Sequence, residues 1–580
     1  MKQPNFLIIG AGSRGSAYAR AISISTPGRI GAVAEPNPYK RHALGQNYIW
    51  GERAPKRGEE FEGWEEWIEY ETKRRQRQSS KLNSNNGVSP PSNGVVTESG
   101  EDEGEGEGET GVDGVLICTL DETHIIILSA IAKANLLDLH VLCEKPLALS
   151  LDDCLSVYAA WTKSDSGERV PPKSIFSIGH VLRYSPHNLL LRRLVRAEQV
   201  VGDIVSVEHA EPVGYWHFAH SYVRGNWRRE TEKGDGSLLT KSCHDIDFLV
   251  WLIEAPVNSA AGEDGGERKL SLRTVSSTGY LTQFVPSRKP AAAGSATNCT
   301  TCPIERDCTY SAIRIYRDNE LNKGETGWPV NIVCPDIEDH LPSNDNSTSK
   351  RYGQPHRKAS GAVTAEAESH LLSVLGQDYT ENTDDDTIKK RPWYGRCVYE
   401  SDNDVVDDQV VTLAWDVIPS TTNTPPIQSS NNNNSRKTKK TPGVTALFHM
   451  IAPTEAQCVR RGRIYGTKGE ITYDSSSISI YDFGSGHTRT IHVPKQPPEE
   501  AESHGGGDYG LARGFVGAVE AVINKGWSVE KAQREFVGCA LEEAVKSHAV
   551  VFAAEESRRA EEVVRWEGWW GGKLKGVGLG

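Results

Sequence analysis

The 580-residue chain contains no apolar run approaching the roughly 18 residues that a membrane-spanning helix needs, which argues against a transmembrane segment. Its opening apolar stretch, FLIIGAG, is too short for a secretory leader and reads better as a first strand, so a cytoplasmic protein is expected. Basic excess is also lacking. The formal net charge is −13, which argues against nucleic acid or an anionic membrane as a main partner. Seven acidic residues between Glu98 and Glu109 supply over half of that charge, so the acidity is local. Three stretches are poor in apolar residues, at about 74–111, 342–360 and 420–442. Such polar tracts cannot bury enough surface to offset chain entropy and read as insertions, the first as a disordered loop.

What is present begins with NFLIIGAGSRGSAYARAI. A short apolar run breaks into Gly10-x-Gly12-x-x-Gly15 and continues as helix-forming sequence, the strand–turn–helix order that a dinucleotide pyrophosphate requires. Gly10 permits the turn, Gly12 lets backbone approach the phosphates, and Gly15 lets helix and strand pack closely. Ser13 and Arg14 lie at the helix start, whose N–H groups and dipole suit an anion. Glu35 ends the second apolar run, 20 residues after Gly15, where a carboxylate can accept from the adenosine ribose and would repel a 2′-phosphate. NAD is therefore favoured, while Arg14 leaves NADP open. VDGVLICTLDETH places Thr119 and His124 beside the same cofactor site, and HVLCEKPLALS places Glu144 and Lys145 just past a strand's carboxyl end.

These motifs, with GHVLRYSP, KSCHDID, YGTKGEI and GGGDYGLARGFVGAV, resemble the Gfo/Idh/MocA oxidoreductases, the family of inositol and glucose–fructose dehydrogenases. The resemblance runs from Gly10 to about Val519 and EKP is its most specific motif. It implies an α/β protein with an N-terminal Rossmann domain, here 1–155, and a C-terminal α/β domain, 156–580, built on a large, mostly antiparallel open sheet. It further implies a substrate held between that sheet and the nicotinamide, and pairing of copies through the open sheet face.

Lys145 is the first candidate for catalysis: a desolvated lysine beside the cofactor can bond the reacting hydroxyl. His244 matches the family's catalytic histidine, but Thr240 stands four residues earlier where the dehydrogenases carry an aspartate. Lys241 is adjacent on the same face. Either His244 accepts the proton with support from Lys145 or Lys241, or the reaction departs from simple alcohol oxidation. Tyr184, Arg224, Trp227 and Thr240 are candidate substrate contacts, since guanidinium and aromatic groups suit a polyol. Asp508 reads as a helix N-cap. Cys299-x-x-Cys302 with Cys308 has the turn-rich spacing of a structural zinc site, with Cys397 or Cys334 as the fourth ligand. The leading expectation is an NAD(P)-dependent oxidoreductase acting on a secondary hydroxyl of a sugar, cyclitol or related polyol. A redox-neutral NAD-dependent glycoside-cleaving enzyme and a non-catalytic NAD-binding regulator are the alternatives.

Overall fold

A computed structural model describes residues 1–85, 111–164, 166–254, 269–341, 364–418, 441–501 and 504–579. The first strand, β1 (Asn5–Ile9), is buried at every position because parallel strands covered by helices on both faces have no solvent side. It is flanked by β2 (Arg29–Ala34), β3 (Glu60–Phe61), β4 (Gly114–Ile117), β5 (His140–Cys143) and β6 (Phe176–Ile178). These six pair in parallel in the order β3-β2-β1-β4-β5-β6. The order reverses between β1 and β4, and a crevice at the carboxyl ends of such strands is where open α/β sheets bind ligands.

The nine remaining strands form a second sheet. They are β7 (Ile204–Pro212), β8 (Lys269–Tyr280), β9 (Asp408–Ile418), β10 (Thr441–Ile451), β11 (Arg461–Gly466), β12 (Gly469–Tyr473), β13 (Ser477–Asp482), β14 (Thr488–His492) and β15 (Val564–Arg565). Their order is β14-β13-β12-β11-β7-β10-β9-β8-β15, antiparallel throughout except for β7 beside β10. Alternating burial along β7 turns Val207, His209 and Glu211 to the protein side, where the helix Cys243–Glu254 lies. The last long helices, Gly507–Lys525 and Leu541–Ala560, return to the first sheet, and Phe515 packs on Phe6 at 5.5 Å. One apolar core thus spans both halves, and a smaller separate core gathers around Cys299, Tyr316 and Leu371.

Two expectations change. The helix beginning at Trp64 runs to Asn85, well into the stretch read as a disordered insertion; 86–110 lie outside the described residues. The 342–360 tract also lies outside them, as does 420–440, while Thr441 and Pro442 already belong to β10. The boundary at 155 is too early, because β6 pairs with β5 and completes the first sheet. Near the C-terminal end, Gly538, with a φ of +63°, ends one helical segment before Leu541 begins the next.

Candidate active site

At the glycine turn, Gly10 has φ +93°, and a Cβ there would lie 2.7 Å from the Cys118 carbonyl oxygen. A Cβ on Gly15 would lie 2.0 Å from the Gly10 oxygen, so this position closes helix against turn. Gly12 faces open space, with nothing within 4 Å of its missing Cβ. The helix Ser13–Ser25 starts with no side-chain cap and no acidic residue in its first turn. This is an open cradle for an anion, with Ser13 exposed at its rim.

Glu35 is buried beside that cradle. Its Oε2 accepts from the Ala11 N–H at 2.8 Å and its Oε1 from the Asn37 N–H at 2.9 Å. A carboxylate offers about four lone-pair sites, so two remain for a ribose diol.

Arg14 does not reach for a phosphate. Its Nε donates to Glu144 Oε1 at 2.8 Å, and its two Nη groups donate to Asp508 at 2.7 and 3.0 Å. Tyr18 donates its hydroxyl to the same Glu144 oxygen at 2.7 Å. Burial pushes Glu144 up, but Arg14 outweighs it and holds the carboxyl below its usual range. Glu144 is therefore a structural anchor. Asp508 is its counterpart and caps nothing: Gly506 occupies the N-cap position. His124 is likewise turned inward, its ring nitrogens 2.8 Å from the Pro146 oxygen and 3.3 Å from the Thr119 oxygen. Thr119, half-buried, accepts from the Thr123 hydroxyl at 2.6 Å.

Lys145 projects from the carboxyl end of β5, and its Nζ donates to the Thr240 carbonyl at 2.7 Å. Thr240 ends the helical turn Ser237–Thr240, one turn before His244. Its hydroxyl bonds back to the Gly236 oxygen at 3.2 Å and is buried. His244 Nε2 lies 2.7 Å from Arg460 Nη2 and 3.3 Å from Asp245. A guanidinium has only donors, so Nε2 is the accepting nitrogen and Nδ1 carries the proton. That Nδ1 is buried without a partner. Burial, then Arg460, Lys145 and Lys241, push His244 well below the usual histidine range, so the ring is neutral.

Arg460 is the centre of this cluster. It binds Asp245 through Nε at 2.6 Å and Nη2 at 3.0 Å, and Glu211 at 2.6 Å. Desolvation raises Asp245, yet Arg460 and the bond from His209 hold it well below the carboxylate range. Lys241 Nζ lies 3.2 Å from Cys458 Sγ and 3.5 Å from Glu211. Sequence reasoning missed Arg460, Glu211 and Cys458. Glu211 had a signal, a carboxylate on the inward side of an alternating strand; Arg460 and Cys458, on the segment before β11, had none.

The candidate substrate residues separate. Trp227 is half-buried and bridges to the first sheet's side of the fold, donating its indole N–H to Asp121 at 2.9 Å. Tyr184 is buried and donates to the Val537 carbonyl at 2.8 Å. Arg224 is also withdrawn, 0% exposed, with Nε on the Arg396 carbonyl at 2.6 Å. Both are long side chains whose polar ends found backbone carbonyls inside the fold.

Fold and site together define an α/β protein in which a parallel sheet with a glycine turn stands beside a mostly antiparallel sheet, joined at the site by the bond from Lys145 to Thr240. The model for the oxidoreductase family's NAD-binding Rossmann fold matches residues 73–167, and that for its C-terminal alpha/beta domain matches 195–274. Both models describe Gfo/Idh/MocA oxidoreductases, and together they match less than a third of this chain. It is similar to inositol 2-dehydrogenase 1 of Saccharopolyspora erythraea, 27% identical over 150 residues, 26% of this chain and 38% of that protein. It is also similar to 2,7-anhydro-N-acetylneuraminate hydratase of Escherichia coli, 28% identical over 142 residues, 24% of this chain and 34% of the relative. The chain thus spans little over a third of the length of either relative. An inositol dehydrogenase homolog from Azotobacter vinelandii, solved with NAD+, shares the fold with a TM-score of 0.51 at 11% identity, covering 97% of this chain and 98% of that one. No helix among the described residues is long and apolar enough to cross a membrane.

Proposed function

We propose that this chain is an NAD-dependent oxidoreductase that moves hydride to or from a secondary hydroxyl of a sugar, cyclitol or related polyol. The observation that carries this reading is Lys145, which leaves the nucleotide-domain sheet and bonds the Thr240 carbonyl one turn from His244. NAD fits the cradle: the open face at Gly12 admits a pyrophosphate, the uncapped helix start meets its charge, and Glu35 retains acceptor capacity for a ribose. The nicotinamide, when bound, supplies or accepts the hydride.

The proton falls to Lys145. As an amine it would accept the hydroxyl proton during oxidation, and as an ammonium return it during reduction. His244 is poorly placed for that work, because its basic nitrogen is taken by Arg460. It would instead orient the substrate, donating Nδ1–H to the reacting oxygen and relieving a buried donor. Thr240 offers no carboxylate to raise the basicity of His244, which is consistent with this division. Trp227, held by Asp121, would wall the cleft against water.

The test is NAD and NADP binding to purified protein, followed by a polyol and sugar panel read as nicotinamide absorbance. Steady NADH production supports the reading. Similarity to a hydratase favours a second reading, a redox-neutral reaction that returns NAD unchanged. Product formed from a glycoside without net absorbance change would replace the first reading with the second.

A further inference from the structure

We infer that Cys299, Cys302, Cys308 and Cys397 form a structural site for a thiophilic divalent cation, zinc by preference, whose anionic thiolate shell neutralises the buried Arg224. The four thiols wall one small cavity of about 20 Å³, enough for a single ion. Two successive 3₁₀ turns, Cys299–Thr301 and Glu305–Asp307, each deliver a cysteine immediately after their last residue, and the first also begins on one. The fourth arrives across the chain, where Asn298 bridges Arg396 and the Cys397 N–H donates to the Thr297 carbonyl at 2.8 Å. All four are free thiols, so no disulfide accounts for the cluster. Cys334, the other candidate ligand, is buried in the smaller core and does not line the cavity.

Arg224 is the independent observation. It is fully buried and lines the same cavity, yet among the described residues no carboxylate pairs with it. It donates to the Tyr310 carbonyl at 2.8 Å and to Cys299 Sγ at 3.5 Å, and its Nη1 has no partner. Glu305, the carboxylate in the cavity wall, is bonded by the Ser311 hydroxyl. A buried cation without an anion is costly. Binding one divalent cation releases four protons and leaves a complex of net charge −2 against the guanidinium. The Ala312 N–H already points at Cys299 Sγ at 3.4 Å, a bond that strengthens to a thiolate. The sulphurs stand wider apart than ligand spacing, so binding would draw them inward to about 2.3 Å from the metal. The site would join the smaller core, to which Cys299 belongs, to the main core, against which Cys308 and Cys397 pack.

A different set, Asp336, His340 and His370, does lie at ligand spacing near the surface, and the experiment separates the two. Metal content would be measured on the purified full chain, on Cys302→Ser/Cys308→Ser and on His340→Ala/His370→Ala. The expected result is one zinc per chain in the wild type and the histidine variant, and loss in the cysteine variant. Should the cysteine variant fail to fold, cobalt-substituted wild type decides: sulphur-to-cobalt charge-transfer bands with tetrahedral ligand-field bands support the site. A metal-free native wild type, metal lost only from the histidine variant, or a cobalt spectrum without sulphur bands would overturn it.

Discussion

Arg14 and Asp508, separated by 494 positions, form a two-pronged ion pair with Nη2–Oδ1 at 2.7 Å and Nη1–Oδ2 at 3.0 Å. The arginine of the glycine turn is thereby committed to the protein. It ties the first helix to the helix Gly507–Lys525, and through Glu144 to the segment that carries Lys145. The same network reaches the backbone of Lys145, whose N–H donates to Glu144 Oε2 at 3.1 Å.

Asp508→Leu removes one of the two carboxylates on Arg14. Asp508 is almost fully buried, whereas Arg14 retains partial exposure and Glu144. An unfolding loss of about 3 kcal/mol is expected, at the lower end for a broken buried pair. Urea denaturation of wild type and variant measures it; an unchanged midpoint and slope would show the pair to be energetically idle.

Lys145→Ala should reduce turnover by about 10²–10⁴-fold, the range for a lost acid–base group. NAD affinity should stay within a few-fold, because Lys145 contributes nothing to the glycine cradle. Calorimetric NAD binding and steady-state rates check both halves. Full activity in the variant would remove Lys145 from the chemistry.

Glu35→Ala should weaken NAD and relax discrimination against NADP. It also strips acceptors from the Ala11 and Asn37 N–H groups, at a cost of about 1–3 kcal/mol in stability. Titrations of both dinucleotides, run where the variant remains folded, give the ratio. Unaltered preference would place the ribose elsewhere.

Stability should fall as pH drops below about 6.5, before carboxylates titrate. Burial pushes His180 and His220 down to about 3, and it pushes His217 and His244 well below their usual range. These rings stay neutral in the fold and take up protons once unfolded, so the unfolded state binds more protons below its own pKa. The contribution is complete above about pH 6.5 and shrinks as pH falls toward the folded values. Thermal unfolding at pH 7.5 and 5.5 tests the sign: a lower Tm at 5.5 is expected, and a Tm that held or rose would contradict it.

Local pattern carried much of this. The Gly10–Gly15 turn and the strand ends at Glu35 and Lys145 follow from apolar period and glycine position alone, because backbone sterics act over a few residues. The knuckle at Cys299 was equally legible as spacing. Residue type suggests pocket roles for Arg224 and Tyr184; which way a long side chain turns depends on the carbonyls that folding brings within reach.

Sequence by itself determined the strand–turn–helix of the nucleotide cradle and the strand end that presents Lys145, since each rests on short-range geometry. Tertiary structure alone decided that Arg460 would cap His244, that Arg14 would turn to Asp508, and that Arg224 would face four thiols. Those pairings join residues tens to hundreds of positions apart. Their energies arise only once burial has removed water from both partners, so no local pattern encodes them.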